Sequence, residues 1–131
     1  MRKKLFLILS LTCTLIVMAG CSKKDDKSTH TTISAKEAKK MMDENEDIII
    51  LDVRTEDEYQ ESHIEGAILI PDNEITEKAE NILADKSETI LVYCRSGRRS
   101  ANASKELSDL GYTNIYDFGG INDWEYDVVT E

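Results

Sequence analysis

One cysteine of this chain sits in a cationic turn: Tyr93-Cys94-Arg95-Ser96-Gly97-Arg98-Arg99-Ser100. The apolar run before it, Thr89-Ile-Leu-Val-Tyr93, reads as a buried strand, and helix signals resume at Ser100 with Ala103, Leu107 and Leu110 on one side. A tight strand-to-helix turn aims successive backbone N–H groups at a common point, with Gly97 supplying the conformational freedom, and such a nest binds anions. The helix adds the positive end of its dipole. Arg95, Arg98 and Arg99 add three guanidinium groups to a chain that is otherwise acidic. All of these favour thiolate over thiol, so the Cys94 pKa is expected to be depressed. The chemistry suited to such a place is nucleophilic attack on an anionic donor. A cysteine that merely ends a core strand is the blander alternative, and the adjoining arginines and glycine weigh against it.

Other reactive side chains have quieter readings. Asp52 and Arg54 close a second apolar run and could be mistaken for an acid–base pair; hydrogen bonding that braces the loop backbone and the Glu58 helix is the expected role. His63 is a conceivable base for Cys94, but its place before a short strand favours a structural role. Only two histidines exist, His30 and His63, so no zinc set is expected. Trp124 reads as core or lid packing.

The elements that must position these residues alternate between helix and strand. Ser34-Ala-Lys-Glu37 and Thr55-Glu-Asp-Glu58 have the form of capping boxes. Ala35, Ala38, Met41 and Met42 make one helical face; Ile75, Ala79, Ile82 and Leu83 make another. The continuous apolar runs 48–51, 67–70 and 89–93 suit buried parallel strands, 114–118 a final short strand, and Gly111 a helix C-cap. Strands alternating with helices imply an α/β fold with a mostly parallel sheet covered on both faces.

The chain has 131 residues, 16 Lys plus Arg against 26 Asp plus Glu, and a formal charge of -10. That length suggests one domain, and 40% hydrophobic residues suffice for a core. The acid excess argues against nucleic acid and against electrostatic adhesion to an anionic membrane. The averages nevertheless join two unlike parts. Arg2-Lys-Lys4 followed by the uncharged stretch 5–19 has the form of a secretory signal, shorter than the roughly 20 apolar residues of a spanning helix. It ends in Met18-Ala19-Gly20-Cys21, which resembles the lipobox of bacterial lipoproteins. That resemblance implies cleavage before Cys21, lipidation of its thiol and a lipid anchor on the extracytoplasmic side of a bacterial membrane, with more than one acyl chain for stable attachment. Removing residues 1–20 takes three of the 16 basic side chains, leaving 13 against 26 acidic ones, a formal charge of -13. Cys13 leaves with the signal and Cys21 is blocked, so Cys94 becomes the free thiol. Residues 21–32 read as lipidated cysteine and polar tether, and 33–131 as the domain.

Residues from about 33 to 128 resemble a single-domain rhodanese. Asp52-Val-Arg54 with Glu58-Tyr59, then His63-Ile-Glu-Gly66-Ala67 and Ile70-Pro71, is similar to the family's N-terminal signature. Cys94 to Ser100 is similar to its active-site loop, and Leu110-Gly-Tyr112, Gly119-Gly-Ile121 and Trp124 to its C-terminal landmarks. Ser62 departs from the pattern, where glycine is usual. The resemblance implies a three-layer α/β/α fold around a five-stranded, mostly parallel sheet. It implies transfer of sulfane sulfur, from a donor such as thiosulfate to a thiol or cyanide, through a persulfide on Cys94. Residues 94–99 would form the loop, with Ser96 and Gly97 in the cradle, Arg95 and Arg99 holding the donor's sulfonate, and Arg98 at the loop surface. No metal or organic cofactor is implied, and a monomer is expected. Related phosphatases and arsenate reductases carry an arginine six positions after the cysteine; here that position is Ser100, and the smaller loop suits sulfur. A sulfur- or redox-sensing or protein-interaction module without turnover is the alternative use of the same loop.

Overall fold

The computed structural model describes residues 30–131. The signal segment 1–20, the lipidation candidate Cys21 and most of the tether lie outside the described residues. Five strands, β1 (His30–Thr32), β2 (Ile49–Asp52), β3 (Ile68–Leu69), β4 (Thr89–Cys94) and β5 (Asn114–Gly120), lie in the order β1-β5-β4-β2-β3. Every neighbouring pair is parallel. Helices α1 (Ala35–Glu44), α2 (Glu56–Glu61), α3 (Ile75–Ile82) and α4 (Arg98–Asp109) connect them. None of these is long and apolar enough to cross a membrane.

Both capping boxes form. The Ser34 hydroxyl accepts the Glu37 amide at 3.1 Å while the Glu37 carboxylate accepts the Ser34 amide at 2.8 Å; Thr55 and Glu58 repeat the arrangement at the start of α2. Each pair satisfies two amides that a helix start leaves orphaned.

Strand alternation sorts the core into two layers. Ile90, Val92 and Cys94 of β4 face the side packed by Ala79 of α3 and by Ala103 and Leu107 of α4. Leu91 and Tyr93 face the other side, with Ala38 of α1, Ile64 and Phe118. The same two-residue period that buries Val92 therefore turns the Cys94 side chain toward α4, whose first turn begins four residues later.

Some placements differ from the sequence reading. His30–Thr32, assigned to the tether, is the edge strand β1, in register with Ile115–Asp117 of β5. Its pairing uses main-chain groups alone, so three polar side chains gave no apolar signal. Strand β5 runs on through Gly119 and Gly120, rejoining β4 at Cys94 after an irregularity past Val92. Ile82, placed in the apolar stripe of α3, is 45% exposed, because the helix ends there and Leu83 takes the core position at 1%.

Candidate active site

Cys94 is the last residue of the central strand and is 1% exposed. The chain then folds back over its own sulfur. The Gly97 amide donates to Cys94 Sγ at 3.0 Å. Gly97 has φ of +113°, a conformation open to glycine and costly to other residues. Ser100 is fully buried in the first turn of α4, close to the sulfur. Burial pushes the Cys94 thiol up, but the Ser100 hydroxyl and the amides of Ser100, Gly97 and Ser96 outweigh it, and the pKa lies below that of an ordinary cysteine. The depressed pKa expected from the sequence is present, carried by hydrogen bonds to the sulfur.

The segment after β5 backs the loop. The Asn122 amide donates to Arg95 O at 3.2 Å. Gly120 lies so close beneath that a Cβ there would meet Arg95 O at 2.2 Å. The Ser100 hydroxyl is 3.0 Å from Gly97 O, tying the loop to the helix it enters.

A second tie crosses from α2. Arg99 Nη1 and Nη2 each donate to the Glu58 carboxylate at 2.8 Å, a two-bond fork. The same carboxylate accepts the Thr55 amide of the capping box. The Arg99 fork and the capping bond, against the cost of burial, hold the Glu58 carboxyl down at about 2. The Glu58 pair, against that same cost, and then the negative charges of Cys94 and Asp72 raise the Arg99 pKa. Arg99 thus senses the sulfur's charge while its guanidinium is engaged elsewhere. Of the two arginines expected to hold a donor, Arg95 has an exposed side chain with no hydrogen bond or ion pair among the described residues. Arg98, expected in the loop, is exposed as the first residue of α4, and Ser96 is exposed in the loop.

Asp52 and Arg54 are both buried and bind each other: Arg54 Nη2 is 2.6 Å from Asp52 Oδ2, and the Arg54 amide donates to Oδ1 at 2.9 Å. Arg54 also donates to Ser62 O at 2.7 Å, closing the end of α2, and stacks over the Tyr93 ring at 5.5 Å. Burial, with the Asp52 charge beside it, pushes the Tyr93 phenol up, so it stays protonated and accepts the Ile64 amide at 3.1 Å. His63 is buried, stacked on Tyr59 with ring centroids 3.7 Å apart, and its Nδ1 lies 2.7 Å from Tyr59 O. Its backbone pairs with Val129, so it fastens the C-terminal segment. Among the described residues no group of three or more His, Cys, Asp or Glu is arranged to hold a metal ion.

Two cavities lie near these elements. A groove of about 630 Å³ between α1 and Trp124 is on the sheet face opposite Cys94. A smaller one of about 180 Å³ lies beyond the carboxyl end of β4 and is lined by Arg54, Glu58, Glu61, Ser62, Arg95, Ile121 and Asn122. Open parallel sheets place their sites at that end of the strands, so the smaller cavity is the relevant one.

Comparison with known proteins agrees with this architecture. Residues 34–127 match the family model described as the rhodanese-like domain. The chain belongs to the rhodanese-like domain family. It is 42% identical over 73 residues to the thiosulfate sulfurtransferase PspE of Escherichia coli (strain K12), covering 56% of this chain and 70% of that protein. It is 36% identical over 80 residues to the thiosulfate sulfurtransferase GlpE of Coxiella burnetii, covering 60% and 73%. Among solved structures, a rhodanese with anions from E. coli superposes with a TM-score of 0.61 at 38% identity, covering 64% of this chain and 99% of that one. A rhodanese-related protein from Thermoplasma volcanium superposes with a TM-score of 0.67 at 32% identity, covering 77% and 99%. The chain thus has a rhodanese fold and sulfurtransferase relatives.

Sequence reasoning missed three contributors to this rhodanese loop. The sequence marks Ser100 as the helix start and the end of the loop, but its hydroxyl bond back to Gly97 O has no local signature. Glu58 was read as a cap, since its second partner lies 41 residues away. Asn122 acts through its backbone, which any residue type could supply.

The Glu58 fork carries a pH signature. Its carboxyl titrates at about 2 in the folded protein against 4.5 for the ordinary group. A carboxyl depressed on folding stabilises fully above its unfolded pKa, and that stabilisation is lost as pH falls through the folded value. Glu58→Gln should therefore lower stability at pH 7 by about 1 kcal/mol. The gap from wild type should close between about pH 4.5 and 2 in urea melts. A gap independent of pH over that window contradicts the pairing.

Proposed function

We propose that the protein is a thiosulfate sulfurtransferase-like enzyme working by double displacement through a persulfide on Cys94. The observation that carries this reading is the hydrogen bond of the Gly97 amide to Cys94 Sγ at 3.0 Å at the end of the central strand, with Arg95 exposed in the same loop. The thiosulfate sulfurtransferase relatives support the choice of donor.

In the first half-reaction the Cys94 thiolate attacks the sulfane sulfur of thiosulfate. A sulfur–sulfur bond forms to Cys94, the bond to the sulfonate sulfur breaks, and sulfite leaves with the electron pair. Arg95 meets the donor's sulfonate oxygens. The persulfide anion then takes over the hydrogen bonds that held the thiolate, so the loop stabilises the same charge before and after transfer. In the second half-reaction a thiol or cyanide attacks the outer sulfur and the pair returns to Cys94 as thiolate. Asp52, Arg54 and His63 support the surrounding elements without touching the reacting atoms. A persulfide or another sulfane donor can replace thiosulfate in the same scheme. The enzyme acts as a monomer, held to the extracytoplasmic face of a bacterial membrane by lipid on Cys21.

Intact-mass analysis after incubation with thiosulfate should show the gain of one sulfur, absent in Cys94→Ala and removed by cyanide. No gain with thiosulfate or any other sulfane donor contradicts the enzyme reading. A gain that no acceptor removes favours a sensing role. For the anchor, a radioactive fatty acid supplied to bacterial cells should label the full chain and fail to label Cys21→Ala; label that persists in the variant refutes lipidation at Cys21.

A further inference from the structure

The cavity beside the Cys94 loop contains more than an anion site needs. Two of its four charged side chains are already committed: Arg54 to Asp52, and Glu58 to Arg99. The other two, Arg95 and Glu61, are exposed and make no hydrogen bond or ion pair among the described residues. They come from different elements. Glu61 ends α2, whose strand β2 borders β4, and Arg95 follows β4 itself beside Asn122 from the turn after β5. An unpaired carboxylate facing a site for a dianionic donor opposes binding through like-charge repulsion. It becomes favourable when the occupant carries a positive charge as well.

We propose that this cavity binds the acceptor, and that the acceptor is a small zwitterionic aminothiol, with its carboxylate on Arg95 and its ammonium on Glu61. This rests on the sulfurtransferase reading and names the substrate of its second half-reaction. The volume of about 180 Å³ lies below the roughly 300–1,000 Å³ of sites for drug-sized ligands and suits a molecule of a few heavy atoms. The reaction requires that the persulfide's outer sulfur, about 2 Å beyond Sγ, be reached from this cavity. The acceptor thiolate attacks that sulfur, the bond to Cys94 Sγ breaks, Cys94 regains its thiolate, and the aminothiol leaves as a persulfide. No oxidant or reductant is consumed.

The test loads the full chain with sulfur from thiosulfate, removes the excess, and measures single-turnover loss of the persulfide. The acceptors are L-cysteine, 3-mercaptopropionate (no ammonium) and cysteamine (no carboxylate), at subsaturating and equal thiolate concentrations. L-cysteine should be faster than either single-charge analogue by about fivefold, the effect of one partly screened ion pair. Glu61→Gln should reduce the L-cysteine to 3-mercaptopropionate rate ratio by a similar factor, and Glu61→Lys should invert it. Equal rates for the three acceptors, or a ratio indifferent to both substitutions, overturn the acceptor assignment alone. A chain that takes up no sulfur overturns this assignment and the sulfurtransferase reading together.

Discussion

Hydrogen bonding to a nearly buried sulfur, whose pKa is lowered, is the constraint around which this molecule is organised. Removing an anion from water is unfavourable unless hydrogen bonds replace those lost, and Cys94 sits at the end of the central strand with 1% exposure. The replacement comes from the backbone. The positive φ of Gly97 turns the loop so that its amide donates to Sγ, and Ser100, buried in the first turn of α4, ties the loop to the helix through Gly97 O. Everything around the loop keeps those donors in place. Gly120 leaves room for Arg95 O, Asn122 bonds it, and strand alternation in β4 aims the sulfur at α4 rather than α1.

The charged side chains divide into those that hold the scaffold and those that face solvent. Glu58 joins the cap of α2 to the first turn of α4, and Arg54 joins β2 to the end of α2. Both pairs are two-bond forks, a geometry that fixes orientation as well as distance. With Arg99 and Arg54 so engaged, Arg95 and Glu61 are the opposite charges that line the cavity without an ion pair among the described residues. A loop with three arginines in its sequence therefore presents one of them, Arg95, unpaired at the cavity.

Much of this was legible in the sequence wherever the signal is local. Both capping boxes lie within four residues, the apolar runs of β2 and β4 mark buried parallel strands, and the turn after Tyr93 announces an anion nest through its glycine and its position between strand and helix. What lay outside reach was long-range or main-chain in origin. Strand β1 pairs through backbone and carries His30, Thr31 and Thr32, none of them apolar. The partner of Arg99 is 41 residues away, so a free donor-binding arginine and one locked to Glu58 look alike in sequence. Ile82 shows the limit of periodicity, since the helix ends at this residue and the core position goes to Leu83.

The central claim is that the loop stabilises thiolate through hydrogen bonds to Cys94 Sγ. The most direct measurement is thiolate absorbance near 240 nm against pH for the folded protein and for Ser100→Ala, with Cys94→Ala subtracted as background. The account predicts a wild-type midpoint below the ~8.5 of an ordinary cysteine, and an upward shift on removal of the Ser100 hydroxyl. A wild-type midpoint at or above that of an ordinary cysteine, or one unmoved in Ser100→Ala, would contradict it.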